Sequence, residues 1–267
     1  MQLSLASEAG SPDRENEDAV ALLGDFVIVA DGATARTETG CIHGVAWYAR
    51  HLAVSTVQHA DLGPRAALAD GIADTAIAHR TTCDLANVGT PSAAVAIASV
   101  EPEFVSFLML GDVTLVVETV NGVVDVVVDD RVNKTAVPER ALADSLPYGS
   151  PEKAAALLRM KHAELAARNK DGGFWIAMND SGAVDHAMTW TIRRSEVNRF
   201  AILSDGAARL VTPFEVTGWA AVLDLLASDG PSALISRIRT EERADPAAVR
   251  WPRNKISDDA TAVYAEF

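Results

Sequence analysis

Glu17-Asp18, Asp31, Asp205 and Asp258-Asp259 are carboxylates placed where short apolar runs begin or end. Asp31 closes the run Phe26-Val27-Ile28-Val29-Ala30, and Asp205 stands just past a run that ends at Leu203. Each has a glycine directly behind it, Gly32 and Gly206, which lets the chain turn tightly. A carboxylate at the mouth of a buried strand is held rigidly and still faces solvent. Taken singly, each acid reads as a capped turn or a solvated loop residue. If their strands are neighbours at one edge, the carboxylates converge, and like charges in close contact disfavour ionisation unless a cation joins them. Hard oxygen donors select Mg²⁺ or Mn²⁺ over zinc, which prefers the nitrogen and sulfur ligands missing here. Two such ions about 4 Å apart could bridge a water, lower its pKa and align it for in-line attack on phosphorus.

The elements that must position these acids follow from periodicity. Residues 2–7 alternate as a half-buried strand does, and runs at 19–23 and 26–30 flank Gly24-Asp25 as a hairpin. Residues 37–60 carry apolar side chains near a 3.6 spacing, which predicts a helix, and Pro64 opens a second one to about residue 85. Runs at 92–100, 104–110, 114–120 and 122–128 predict four strands of one antiparallel meander, with Asn121-Gly122 as a hairpin turn. Beyond them the pattern predicts a helix at 151–169, strands at 187–192 and 199–203, helices at about 214–227 and 231–244, and a last strand at 261–267. Strands early and late with helix pairs between them argue for one α+β domain across 1–267.

The formal net charge of −14 disfavours nucleic acid or an anionic membrane as a partner. The first ten residues lack the basic start and long apolar stretch of a secretory signal, and no apolar run approaches about 18 residues, so a cytoplasmic protein without a membrane span is expected. The cysteines, Cys41 and Cys83, lie in no metal-ligand spacing and are expected to be reduced, mostly buried core residues.

The phrases RENEDA at 14–19, VADG at 29–32, GTPSAAVAI at 89–97, LGD at 110–112, LSDG at 203–206 and DDATAVY at 258–264 occur in one order over nearly the whole chain. In this order they resemble the metal-dependent serine/threonine protein phosphatases of type 2C, the PPM family. The resemblance implies a four-layer αββα sandwich of two antiparallel sheets flanked by helix pairs, with a two-metal Mg²⁺ or Mn²⁺ site at one edge. It implies that Asp31 bridges both metals, that the Gly32 carbonyl is a further ligand, and that Glu17, Asp205 and Asp258 complete the set. Asp18 would hold metal-bound water, and Arg14 would bind the phosphate of a phosphorylated protein substrate. The segment 131–185 falls where the family carries a variable flap beside the active site.

The chain also departs from that pattern. Arg14 stands three residues before Glu17 where the family usually has four, so Arg36 is a rival phosphate ligand, and Arg14 could instead pair with Asp13 or Glu15. Ala33-Thr34-Ala35-Arg36 follows Gly32 where the family commonly has a residue and two glycines, and no histidine is offered there as general acid. His43 reads as helix surface or core. Arg209 replaces the acid that helps hold a third metal, which predicts a weak or absent third site, and Asp112 could simply cap a turn. Trp175, Met178, Met188 and Trp190 read as core more readily than as substrate contacts. Beside a phosphoserine or phosphothreonine phosphatase, the departures leave open a regulatory module of low turnover and a phosphatase of small metabolites.

Overall fold

The computed structural model describes residues 1–267. Its strands are β1 (Gln2–Glu8), β2 (Asp18–Leu23), β3 (Phe26–Gly32), β4 (Ala93–Val100), β5 (Phe104–Leu110), β6 (Thr114–Thr119), β7 (Val124–Val127), β8 (Met188–Arg193), β9 (Val197–Leu203) and β10 (Ala260–Glu266). Its helices are α1 (Gly44–Gln58), α2 (Pro64–His79), α3 (Val137–Ser145), α4 (Pro151–Ala167), α5 (Trp219–Asp229) and α6 (Pro231–Ala244). The strands form two five-stranded sheets, β1-β10-β9-β6-β7 and β2-β3-β4-β5-β8, antiparallel throughout.

β3 shows how the layers form. Phe26, Ile28 and Ala30 pack on Tyr48 and Leu52 of α1 and on Leu68 and Ile72 of α2. Val27 and Val29 point the other way, into a core shared with Phe200 and Ile202 of β9 and Val263 of β10. Both faces are buried, so the strand reads as a continuous apolar run rather than an alternating one. On the outer face of the second sheet, Val116, Ala201 and Leu203 pack against Val222, Leu226, Leu234 and Ile238 of α5 and α6. The order is helices, sheet, sheet, helices: the expected four-layer αββα sandwich. Asp31 shares the parity of Val27 and Val29, so its side chain opens between the sheets at their rim.

Several expectations are corrected. The four-strand meander is split: β5 pairs with β8, and β6 pairs with β7 and β9 in the other sheet. The chain crosses over at Gly111, whose φ of 97° and 2.6 Å approach to Ala94 Cβ exclude a side chain. α1 begins at Gly44, not Thr37, because Gly40 and Gly44 both have positive φ and break the helical path. α2 ends at His79, where the Thr82 hydroxyl turns back to the His79 carbonyl at 3.1 Å. α3 has no counterpart in the sequence reading; it buries only Ala143, too little for a periodic signal. Cys41 and Cys83 are free, as expected, but both lie half-buried in loops rather than in the core. Met188 is largely exposed, whereas Trp190 packs on Phe107 with ring centroids 5.3 Å apart. No helix is long and apolar enough to cross a membrane.

Candidate active site

Four strand ends meet at one edge of the sandwich. Asp18 at the start of β2 pairs in register with Asp31 at the end of β3, which puts both side chains on the same face. From the opposite sheet, the Asp205 backbone N–H behind β9 donates to Asp31 Oδ2 at 3.2 Å, joining the two sheets at the rim. Gly206 is compulsory next to it, because a Cβ there would lie 1.9 Å from the Asp259 carbonyl oxygen. Gly32 is equally constrained: its N–H donates to the Glu17 carbonyl at 3.1 Å, and a Cβ would meet that oxygen at 2.4 Å and Val45 Cγ1 at 2.6 Å. The Glu17 carboxylate accepts the Thr34 hydroxyl at 2.5 Å. Asp259 accepts the backbone N–H groups of Gly10 and Glu17, both at 2.8 Å, and so pins the loop that carries Arg14.

The carboxyls at this edge are held above their ordinary range. Burial, then the charges of Asp18 and Asp205, push Asp31 well up. Burial raises Asp18 to about 6, against the pull of the Ser204 and Thr261 hydroxyls. Asp205 is raised to about 8 by burial of its carboxyl and by Asp258, with Lys255 and Arg209 opposing; the residue keeps solvent access, which tempers this shift. Asp112 is raised by burial and by Asp129.

Asp258 is in a different state. Lys255 Nζ donates to its Oδ1 at 2.5 Å and Arg209 donates to its Oδ2 at 3.2 Å. Arg209 is buried and reaches on to Glu242 of α6 at 2.6 Å, which also accepts Arg239 at 2.8 Å. Burial alone would weaken the Lys255 ammonium, but Asp258, Asp205 and Asp31 outweigh it and raise its pKa.

Two cavities flank this edge. A cleft of about 170 Å³ is lined by Asp31, Asp112 and Asp205, and by Asp129, Arg140 and Glu164. A more open one of about 440 Å³ is lined by Arg14, Arg36 and Tyr148, and also by Glu17, Asp258 and Asp259. Thr34 and Lys255 line both, so they form the wall between an acidic chamber and one of mixed charge that holds both arginines.

The structure thus gathers Glu17, Asp18, Asp31, Gly32, Asp205 and Asp258 at one rim. Arg14 pairs with neither Asp13 nor Glu15 and comes within 3.8 Å of Glu17. Arg36 stands close enough to Arg14 that burial and this like charge both lower its pKa. Asp112 faces the acidic cleft, and Arg209 turns away from it towards Glu242. His43 stacks on Trp47 at 4.4 Å, away from the rim. Trp175 lines the cleft, half-buried and stacked on His186 at 3.4 Å. The sequence reading missed Thr34, Lys255 and the clamp made by Asp259. Lys255 left one signal, a cation three residues before the acid pair.

These groups fit a hard divalent cation at the Asp31–Asp205 end. Asp18 Oδ2 is buried without any hydrogen-bond partner, the carboxyl of Asp31 is raised by burial and by its acidic neighbours, and all the donors are oxygens. As they stand, no three of the carboxylates are drawn tightly enough to grip an ion, and Asp258 is engaged by Lys255 and Arg209.

Comparison with known proteins agrees with this geometry. A family model described as protein phosphatase 2C matches residues 13–237. The chain belongs to the protein phosphatase 2C family. Among solved structures, the serine/threonine phosphatase PstP/Ppp of Mycobacterium tuberculosis is 14% identical, with a TM-score of 0.60 over 100% of this chain and 98% of that one. The serine/threonine phosphatase Stp1 of Staphylococcus aureus is 13% identical, with a TM-score of 0.56 over 100% and 94%. The catalytic domain of PstP in complex with two manganese ions is 15% identical, with a TM-score of 0.57 over 99% and 97%. At such identities the likeness is one of fold. No curated protein sequence matches the chain.

By that membership the chain is a phosphatase. α3 and α4 bring Arg140, Lys161 and Glu164 to the acidic cleft, with Arg140 and Glu164 paired at 2.7 Å. Arg168, just past α4, donates to the Thr90 carbonyl at 3.1 Å and to the Ser92 hydroxyl at 2.9 Å, which fastens this wall of the phosphatase to the start of β4.

Proposed function

We propose that this phosphatase is a single domain across 1–267 that hydrolyses phosphomonoesters with Mg²⁺ or Mn²⁺, acting on phosphoserine or phosphothreonine in proteins. One observation carries the reading: an acidic chamber suited to cations shares a wall of Thr34 and Lys255 with a second chamber in which Arg14 and Arg36 stand beside Glu17 and Asp258, so groups suited to a phosphate adjoin groups suited to a cation. Glu17, Asp31, the Gly32 carbonyl and Asp205 are the oxygens that would hold divalent metal. Asp258 would join them when Lys255 lets go, completing a two-ion set. Such metal, when bound, activates water for attack on phosphorus and neutralises charge on the phosphate.

The rest falls to the chain itself. Arg14 and Arg36 grip the phosphate oxygens from the second chamber, and Lys255 adds a third positive group at the boundary. Thr34 fixes the Glu17 carboxylate by its hydroxyl, and Asp259 fixes the Glu17 backbone. Asp18, raised to about 6, can orient the water and take up a proton near neutral pH. Direct attack by water leaves no phosphoenzyme.

Purified protein with Mn²⁺ should cleave an aryl phosphate, and EDTA or Asp31→Asn should abolish the reaction; turnover that survives Asp31→Asn would sink this mechanism. A panel of phosphopeptides, sugar phosphates and nucleotides should favour the phosphopeptides, and the reverse order would make it a phosphatase of small metabolites. The hold of Lys255 and Arg209 on Asp258 favours one second reading, a binding module of low turnover. Bound Mn²⁺ with no hydrolysis of any phosphopeptide would select it.

A further inference from the structure

Cys41 and Cys83 lie outside both chambers and have no part in the proposed hydrolysis. Cys41 stands just before α1 and Cys83 just after α2, so they face each other across the open end of the helical hairpin. Their Sγ atoms are 2.9 Å apart, both thiols are free, and both residues are partly open to solvent. The backbone around them is already in register. The Asp84 N–H donates to the Gly40 carbonyl at 2.8 Å, and His43 Nε2 lies 3.2 Å from the Thr82 hydroxyl. Closing to a sulfur–sulfur bond of about 2.05 Å needs only a small side-chain movement.

The two thiols are unequal. Burial raises Cys41, and its hydrogen bond with Cys83 adds to the rise. Burial also acts to raise Cys83, but the Cys41 thiol and the N–H groups of Ile42 and His43 outweigh it, so Cys83 ionises more readily than an ordinary thiol. One sulfur is disposed to attack and the other to resolve.

The same pair bears on the chamber that holds Arg14 and Arg36. Cys41 ends the loop 33–43 that carries Thr34 and Arg36. The loop after α2 presses on it closely: a Cβ on Gly89 would come within 2.3 Å of the Glu38 carbonyl.

We propose that Cys41 and Cys83 form a reversible thiol–disulfide site that staples the loop bearing Thr34 and Arg36 to the end of the α1–α2 hairpin. The oxidant is a peroxide. The Cys83 thiolate attacks one peroxide oxygen, the O–O bond breaks, and the departing hydroxide leaves as water, giving a sulfenic acid. The Cys41 sulfur then attacks the Cys83 sulfur, the S–O bond breaks, and a second water carries off the Cys41 proton. Two thiols and one hydrogen peroxide become one disulfide and two waters, so the sulfurs are oxidised and the peroxide oxygens reduced. A dithiol reductant reverses the change.

The test uses the full chain treated with hydrogen peroxide. Its intact mass should fall by two hydrogens and its titratable thiols should vanish, both returning on reduction. Trypsin cleavage after Arg36 should slow several-fold in the oxidised chain and recover with dithiol. Cys41→Ser should instead trap a sulfenic acid on Cys83, and neither Cys41→Ser nor Cys83→Ser should show the slowed cleavage. Persistence of two free thiols, a gain in mass by over-oxidation alone, or a disulfide that leaves cleavage at Arg36 unchanged would each overturn the proposal. None of these readouts depends on phosphate hydrolysis, so they stand whatever the substrate proves to be.

Discussion

The two ends of the acidic rim hold the same residue type in opposite electrical states. At the β3 end, Asp18 and Asp31 face each other across a register pair, and Asp18 Oδ2 has no partner at all. At the β10 end, Asp258 is held by Lys255 on one oxygen and by Arg209 on the other. The first is a crowding of negative charge that a proton or an added cation relieves. The second is already neutralised by the chain. Equal carboxylates at equal strand ends are therefore unequal ligands, and their difference lies in partners that approach from elsewhere in the fold.

The largest test of this contrast is Asp31→Asn, which removes the carboxylate nearest the centre of the unpaired end. It should lower kcat/KM by more than roughly 100-fold in Mn²⁺, measured on an aryl phosphate. At the paired end, Arg209→Leu should act on stability first, since it removes the buried cation that joins Glu242 to Asp258 and leaves them only the more exposed Arg239 and Lys255. Urea unfolding should show a loss of about 3 kcal/mol. Lys255→Met should convert the paired end towards the unpaired one. Calorimetric titration should show Mn²⁺ binding tightened about tenfold, equivalent to about 1.4 kcal/mol, and unchanged binding would mean that Lys255 does not compete for Asp258.

A pH series sharpens the same comparison with a smaller effect. Asp18 at about 6 and Asp205 at about 8 lie above the ordinary 3.8. A carboxyl whose folded pKa is raised favours the folded chain fully below the unfolded value and loses that contribution as pH rises through the folded one. The metal-free chain should therefore lose Tm between about pH 4 and 6, the window set by the buried Asp18, because solvent screens the exposed Asp205. Mn²⁺ should recover more Tm at the top of that window than at its foot. The smallest effects belong to the two arginines: Arg14→Ala and Arg36→Ala should each raise KM several-fold, more than they lower kcat, and a loss in kcat alone would remove them from phosphate binding.

Much of the sandwich could be read from the chain because its strands are buried on both faces. Phe26 to Ala30 is an unbroken apolar run for that reason, and the acid closing it sits at the rim by parity alone. The boundary between sheets could not be read: β5 and β6 are separated by Gly111-Asp112-Val113, which resembles any short turn, and only the two different partners reveal the crossing. α3 escaped because a nine-residue helix with one buried side chain leaves no period to detect. Among site residues, the acids were legible from their places at strand ends. Lys255, Thr34 and Asp259 were not, because what they do is pairwise. The nearest sequence neighbours of Lys255 say nothing of Asp205 or Asp31, and the backbone N–H groups that Asp259 accepts lie 249 and 242 positions away.

That separation has a consequence for how the molecule comes into being on the ribosome. Gly10 and Glu17, which bracket Arg14, are synthesised 249 and 242 residues before the carboxylate that fixes them. A chain made only part of the way to Asp259 leaves its early acids loosely held and poor at capturing metal. Metal capture would then wait until Asp259 has been made and docked.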